Sequence, residues 1–319
     1  MPDSVLNIDL NHRPRLADLR PLVPTPASVS PTATLLEAAA GPRVTPATSL
    51  KDREGYQEDF LGDFQVPWPS PSEALAGDVL ALADGGSRLD YTHFSITLSR
   101  ARRLALCVGV NIDGSQAVEV PRSRDSWAYD GRVPIEAQIG DSLYANNGLD
   151  RGHLVRRQDP NWGKQATTAN ADTFHFTNCS PQMSAFNQKT WLELEDYILD
   201  NTQRWKGRAT VFTGPVFSDS DRVYRGVKIP QAFWKVVAYL GDDGKPSASA
   251  YMIDQSRELD QLDLVFGALR TYRRSVLQIE QLTGLRFGQL ASYDGFSNEE
   301  LATGTRIETL ITGPESLRL

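Results

Sequence analysis

The stretch YANNGLDRGHLVRRQDPNWG, residues 144–163, holds the run Asp150-Arg151-Gly152-His153, on which the reading of the chain turns. The chain has four histidines, His12, His93, His153 and His175, and one of them sits directly beyond an arginine and a glycine in a loop-like setting. An imidazole is mostly neutral at pH 7 and can accept a proton. A guanidinium forks onto an oxyanion, and a glycine lets the backbone pass close to a ligand. Cleavage of a phosphodiester needs such a set: a base for water, positive charge on the developing phosphorane, and help for the leaving oxygen.

Downstream, TFHFTNCSPQ (residues 173–182) sets Phe174 and Phe176 against Thr173, His175 and Thr177. That alternation predicts a strand ended by Pro181, with His175 on its polar, surface-facing side. Next, AFNQKTWLELEDYILDNTQRWKG (residues 185–207) places Trp191, Leu194, Tyr197 and Ile198 on one stripe and predicts a helix that stops at Gly207. Asn187, Trp191 and Glu195 lie at four-residue spacing on a slowly drifting face of that helix. The rise from Asn187 to Glu195 is about 12 Å. One side chain binding a metal directly and the other through water fits that reach better than two direct ligands. So sparse a protein shell suits Mg²⁺, which keeps several of its waters.

Each of these residues also has an ordinary structural alternative. A histidine beside an arginine can be a hydrogen-bonded scaffold residue, an asparagine near a helix start can be a cap, and Glu195 alone can be a solvated charge.

Upstream, YTHFSITLSRARRLALCVGVNIDG (residues 91–114) predicts a β-hairpin with a buried second strand. ATVFTGPVF, FWKVVAYL and ASAYMID are three further strands, and part of residues 256–284 predicts a second helix ending at Gly284. Strands and helices mix without regular βα alternation, so the expected class is α+β. Residues 1–54, which include a Pro-, Ala-, Ser- and Thr-rich stretch, are expected to be a flexible tail with a docking or regulatory role, and residues 55–319 one globular domain.

The 319 residues carry a formal charge of -7, which weighs against a protein that holds nucleic acid over a broad surface. A centre that handles one phosphate with a metal and a few arginines remains compatible. Arginines collect at 100–103, 122–124 and 151–157, as a basic channel on an acidic body would require. The two cysteines, Cys107 and Cys179, lack CxxC spacing and read as buried free thiols. The start has no apolar core of a secretion signal, and no later run is long enough for a membrane helix, so the expectation is a cytoplasmic protein with no membrane partner.

Taken in order, DRGH at residues 150–153 and TNCSPQ…FNQ..W..LE from Thr177 through Glu195 resemble the signature blocks of the DNA/RNA non-specific endonucleases, the endonuclease G and Serratia nuclease family. IEQLTGL from Ile279 is also similar, and the resemblance covers about residues 55–290. It implies a ββα-metal (His-Me finger) nuclease fold, a central antiparallel sheet flanked by helices. It makes His153 the general base and Arg151 the phosphate contact. Asn187 would bind Mg²⁺ directly, with Mn²⁺ as an alternative ion, and Glu195 would act through metal-bound water. Asn178 would support the site by holding metal water or orienting His153. Substrates would be DNA and RNA, products 5′-phosphate oligonucleotides, and the chain a homodimer.

Some members carry an arginine one turn beyond the glutamate, where this chain has Leu199. A second cationic contact must then come from elsewhere, and Arg156, Arg157 and Arg132 are candidates by charge. A non-specific nuclease made in the cytoplasm endangers its own cell, so control by a regulatory partner or inhibitor through the N-terminal tail is expected. The alternative function is a catalytically silent nucleic-acid-binding or interaction module on the same fold.

Overall fold

A computed structural model describes residues 8–19, 42–121, 126–183, 198–199, 202, 207–241, 243–255 and 270–311. Its centre is an eight-stranded sheet in which every pair of neighbours is antiparallel. The strands are β3 (Leu89–Tyr91), β4 (Phe94–Leu98), β5 (Ala105–Asp113), β9 (Arg208–Val216), β12 (Ala232–Leu240), β13 (Pro246–Asp254), β14 (Arg270–Arg274) and β16 (Thr309–Ile311). Across the sheet they run β16-β14-β13-β12-β9-β5-β4-β3. Neighbours in the sheet are consecutive among its strands along the chain, and β5 with β9 joins its two halves, where Val110 faces Val211 and, on the next pair, Val236 faces Phe212.

Both faces are covered, which is why β5 is buried at all nine positions and reads as a nearly continuous apolar run. One face carries Phe212, Trp234, Val236 and Ala250 against Tyr56, Phe64, Val276, Ile279 and Phe287. The other carries Val108, Val110, Phe233, Val237 and Ile253 against Leu154, Val155, Ile198 and Leu199. The described residues between the adjacent strands β5 and β9 supply that second layer. They include β6 (Tyr129–Asp130), β7 (Leu149–His153), β8 (Cys179–Met183) and the helix α2 (Ala166–Asp172).

On the first face lies α3 (Val276–Thr283), begun by Ser275, whose hydroxyl accepts from Gln278 N–H at 3.0 Å, and ended by Gly284 at φ 71°. A left-handed residue there favours glycine, so the predicted stop at Gly284 holds. The helix is shorter than the segment in which it was placed, because residues 270–274 form β14 instead. α4 (Gly295–Thr303) is capped by Asp294, which accepts from the backbone of Phe296 and Ser297. The remaining short elements are α1 (Glu73–Ala76) and the two-residue strands β1 (Val44–Thr45), β2 (Ser70–Pro71) and β15 (Leu285–Arg286). A small hairpin is made of β10 (Arg222–Tyr224) and β11 (Val227–Ile229).

The described parts of the N-terminal region pack on this body. Residues 8–19 lie against α4 and the 3-10 turn before it: Tyr293 Oη donates to Leu10 O at 3.1 Å and Asn298 Nδ2 to Pro14 O at 2.8 Å. β1 pairs in parallel with β6, and Leu50 is buried in the sheet's core. Most of the predicted helix over 185–207 lies outside the described residues. Its described positions Ile198, Leu199 and Thr202 are helical, and Leu199 is buried in the core, where an arginine would not reach solvent. Among the described residues no helix is long and apolar enough to cross a membrane.

Candidate active site

The Asp-Arg-Gly-His run is a strand rather than a loop. β7 pairs antiparallel with β8, setting His153 opposite Cys179, Gly152 opposite Ser180, Arg151 opposite Pro181 and Asp150 opposite Gln182. Pro181 therefore does not end a strand. It sits in the middle of one, tolerated because the ribbon has only two strands. The predicted strand over 173–180 is correspondingly displaced: Phe176–Asn178 is a 3-10 turn, and extended pairing begins at Cys179. Alternation alone could not separate these cases, since Phe174 and Phe176 pack on aromatic partners in either geometry.

Side chains alternate along a strand, so Arg151 and His153 leave β7 on one face, two residues apart. The His153 ring lies in an aromatic corner, 4.7 Å between centroids from Trp127 and 5.0 Å from Phe174, the latter edge to face. Trp127 is a site residue that the sequence reading missed. It lies on a segment without motif or clear period, and only the tertiary structure brings it to His153.

Gly152 is required for packing inside the ribbon: a Cβ there would run into the Gln182 side chain, 2.6 Å from its Cγ. Gln182 and Ser180 are fully buried on that inner face. Asn178 is buried too, and its amide clamps the chain just past His153. Its Oδ1 accepts from Val155 N at 2.9 Å, while Nδ2 donates to Val155 O at 2.9 Å and Thr173 O at 3.0 Å. Its own carbonyl accepts from Leu154 N at 2.9 Å.

Beneath the ribbon runs a polar network. Tyr91 Oη donates to Asp130 and lies 2.6 Å from Thr177 Oγ1, next to Asn178. Arg132 donates to Asp130 through Nε and Nη2 and to Asp90 O through Nη1. Burial raises the Asp130 carboxyl, but the bonds and charge of Arg132 together with the Tyr91 hydroxyl outweigh it and hold the group below its usual range. Arg132 is thus engaged in the scaffold, which removes it as a phosphate contact. His175 is not the surface residue that its polar strand face suggests. It is buried, with Nδ1 at 2.9 Å from Asp172 O and Nε2 at 2.9 Å from Thr45 Oγ1. A carbonyl only accepts, so Nδ1 carries the proton and Nε2 accepts from the threonine. Burial pushes its pKa down.

Arg151 donates through Nε to Asp141 Oδ1 at 2.8 Å and through Nη2 to the same oxygen, and its Cζ lies 5.6 Å from the Tyr144 ring centroid. Arg156 and Arg157 follow at half-buried positions, and Arg157 Nη1 donates to Val120 O at 3.1 Å. The expected basic channel receives little from the arginines at 100–103. Arg102 pairs with Asp221 at 2.7 Å, Arg100 donates to Gly77 O and Arg103 to Gly226 O. Arg122 and Arg124 lie outside the described residues. So do Asn187 and Glu195, the expected metal-binding pair. Among the described residues no group of three His, Cys, Asp or Glu could hold a metal ion.

Cys107 and Cys179 are free and buried, as expected. Cys179 Sγ lies 3.4 Å from Tyr144 Oη, and burial pushes its thiol up to about 12.

Residues 73–294 match the family model for DNA/RNA non-specific endonuclease. An uncharacterized protein, y4fB, of Sinorhizobium fredii is 37% identical over 91% of this chain and 47% of its own length. A nuclease of Nostoc sp. is 29% identical over 59% of this chain and 65% of its own. The chain thus spans about half and about two thirds of these relatives. Among solved structures, a chain of the EndoG/EndoGI complex, described as showing the mechanism of EndoG inhibition, superposes with a TM-score of 0.53 at 18% identity. That match covers 64% of this chain and 86% of the other.

Proposed function

Because the chain belongs to the DNA/RNA non-specific endonuclease family, we propose that it is a metal-dependent hydrolase that cuts DNA and RNA without reading sequence and leaves 5′-phosphate ends. The observation that supports this reading is the ribbon, in which His153 and Arg151 stand two residues apart on one face of one strand. His153 removes the proton from the attacking water, with Trp127 and Phe174 fixing the plane of its ring. Arg151 forks onto the phosphate and stabilises the charge that builds on it. Asn178 acts as a positioning residue: its clamp on Val155 fixes the backbone that follows His153. Arg156 and Arg157 are proposed as further contacts to the substrate backbone.

Asn187, binding directly, and Glu195, through water, would hold the metal. One neutral amide and one remote carboxylate leave most of the coordination sphere to water, a donor set that fits Mg²⁺, with Mn²⁺ as an alternative. When bound, such an ion supplies positive charge to the phosphate and the leaving oxygen. Contacts to phosphate carry no base information, which accounts for action on both polymers.

A homodimer and a regulatory protein partner belong to the same proposal. The inhibitor-bound EndoG neighbour supports an inhibitor as the partner class, and residues 1–54 are proposed as its contact. A cytoplasmic location remains part of the proposal. Cut-site mapping on a long duplex and on single-stranded RNA tests the reaction itself. Cuts spread over many sequences, with 5′-phosphate ends that a 5′-phosphate-dependent exonuclease degrades directly, are expected. Cuts confined to one motif, or 5′-hydroxyl ends, would overturn the assignment.

A further inference from the structure

We propose that Asp141 is a positioning residue that holds the Arg151 guanidinium ready for phosphate, an inference that rests on the phosphate-binding role given to Arg151 above. Nε and Nη2 of Arg151 both donate to Asp141 Oδ1, so one edge of the guanidinium is fixed from behind. Nη1 makes no hydrogen bond to any described residue, which leaves the other edge to take two oxygens of a phosphate. The Tyr144 ring, 5.6 Å from Cζ, lies against the guanidinium.

The turn that displays Asp141 is itself immobilised. Asp141 opens the 3-10 turn Asp141–Leu143, and Gly140 before it packs so closely on Tyr129 that a Cβ would overlap the phenol. Arg225, at the tip of the β10–β11 hairpin, donates through Nη1 to the carbonyls of Ser142 at 2.8 Å, Leu143 at 3.2 Å and Ala145 at 2.7 Å. Asn147 Nδ2 adds a bond to Leu143 O at 2.6 Å, and Leu143 and Tyr144 are buried in the small core beneath.

The side chains of the pair are 34% and 58% exposed, and ion pairs that exposed contribute little to stability. A contact of small stabilising value, carried on a turn held by three carbonyl bonds and aimed at the arginine beside the proposed base, is best explained by orientation. An arginine with its fork already set loses less freedom when it binds an oxyanion.

The test compares the full chain with Asp141→Ala, Asp141→Asn, Arg151→Ala and the double Asp141→Ala/Arg151→Ala variant. It reads kcat and KM for Mg²⁺-supported cleavage of a single-stranded oligonucleotide, and the Kd of the same oligonucleotide in EDTA by anisotropy. Arg151→Ala is expected to lower kcat/KM by about a hundredfold and Asp141→Ala by about tenfold, chiefly in kcat, as lost orientation in the transition state requires. Asp141→Asn keeps the acceptor oxygen and is expected to recover to within about threefold of the wild type. In the Arg151→Ala background, Asp141→Ala should change nothing further in either rate or Kd.

Four outcomes would overturn the proposal: Asp141→Ala at the wild-type rate and Kd; tighter binding by Asp141→Ala, the mark of a mere competing anion; equal losses in the Ala and Asn variants; or the full Asp141→Ala loss persisting without Arg151. An Arg151→Ala variant at the wild-type rate and Kd would instead remove the role of Arg151 itself, and the inference with it.

Discussion

His153 and Cys179 face each other across the ribbon, yet their surroundings give them opposite chemistry. The imidazole is half-buried against two aromatic rings, whereas the thiol is wholly buried with its pKa pushed up to about 12. A thiol in that condition stays protonated at neutral pH and reacts slowly with oxidants. Peroxide at pH 7.5 is therefore expected to leave both Cys179, followed by mass spectrometry, and the cleavage rate unchanged. Oxidation of Cys179 with a thiol-reversible loss of rate would contradict this.

His175 supports a second expectation at the same scale. Burial depresses its pKa, opposed by the bond to Asp172 O and by the carboxylates of Asp130 and Asp172, and assisted by Arg132. The unfolded chain then binds the proton more readily than the folded one. Its contribution to stability is present above the unfolded value of about 6.5 and is lost as pH falls toward the lower folded value. Urea midpoints at pH 8, 6 and 5 should fall more steeply for the wild type than for His175→Gln, and parallel curves would refute the assignment. The sequence marked His153 by its neighbours, but nothing local distinguished His175, whose partner Thr45 lies 130 residues away.

Among the elements, the β7–β8 ribbon shows why the motif was legible and its setting was not. Asp150, Gly152 and Pro181 all argue against strands here, and local pattern alone puts His153 in a loop. The ribbon forms because side-chain to backbone bonds replace the missing sheet neighbours: Asn178 clamps Val155, and Gln255 accepts from Met183 N and donates to Pro181 O. Asn178→Ala strands the Val155 N–H, the Val155 carbonyl and the Thr173 carbonyl in a buried place, at a cost of about 1–3 kcal/mol for such an unsatisfied group. A lower denaturant midpoint with kcat reduced and KM little changed is expected. Unchanged kcat in the folded variant would remove its positioning role. The strands β9, β12 and β13, by contrast, were readable from β-branched and aromatic runs alone, because local pattern and tertiary burial agree there.

Across the whole molecule, the layer between β5 and β9 carries the candidate site on one face of the sheet, while α3 and residues 56–68 cover the other. Charge collected along the sequence did not map onto this arrangement. Among the described residues Arg102 and Arg132 are bound to the scaffold, paired with Asp221 and Asp130, and add nothing to a basic channel. The N-terminal composition likewise gave no sign that residues 8–19 and 42–50 pack on the domain, since those contacts involve single side chains and backbone rather than an apolar period.

The most direct measurement is cleavage of supercoiled plasmid and single-stranded RNA by the purified chain, with Mg²⁺ or with EDTA, beside His153→Ala. Degradation of both polymers only with the metal, reduced by a factor on the order of a thousand in the variant, is expected for a general base at this position. A folded His153→Ala protein that cuts at the wild-type rate would contradict the central role given to this histidine.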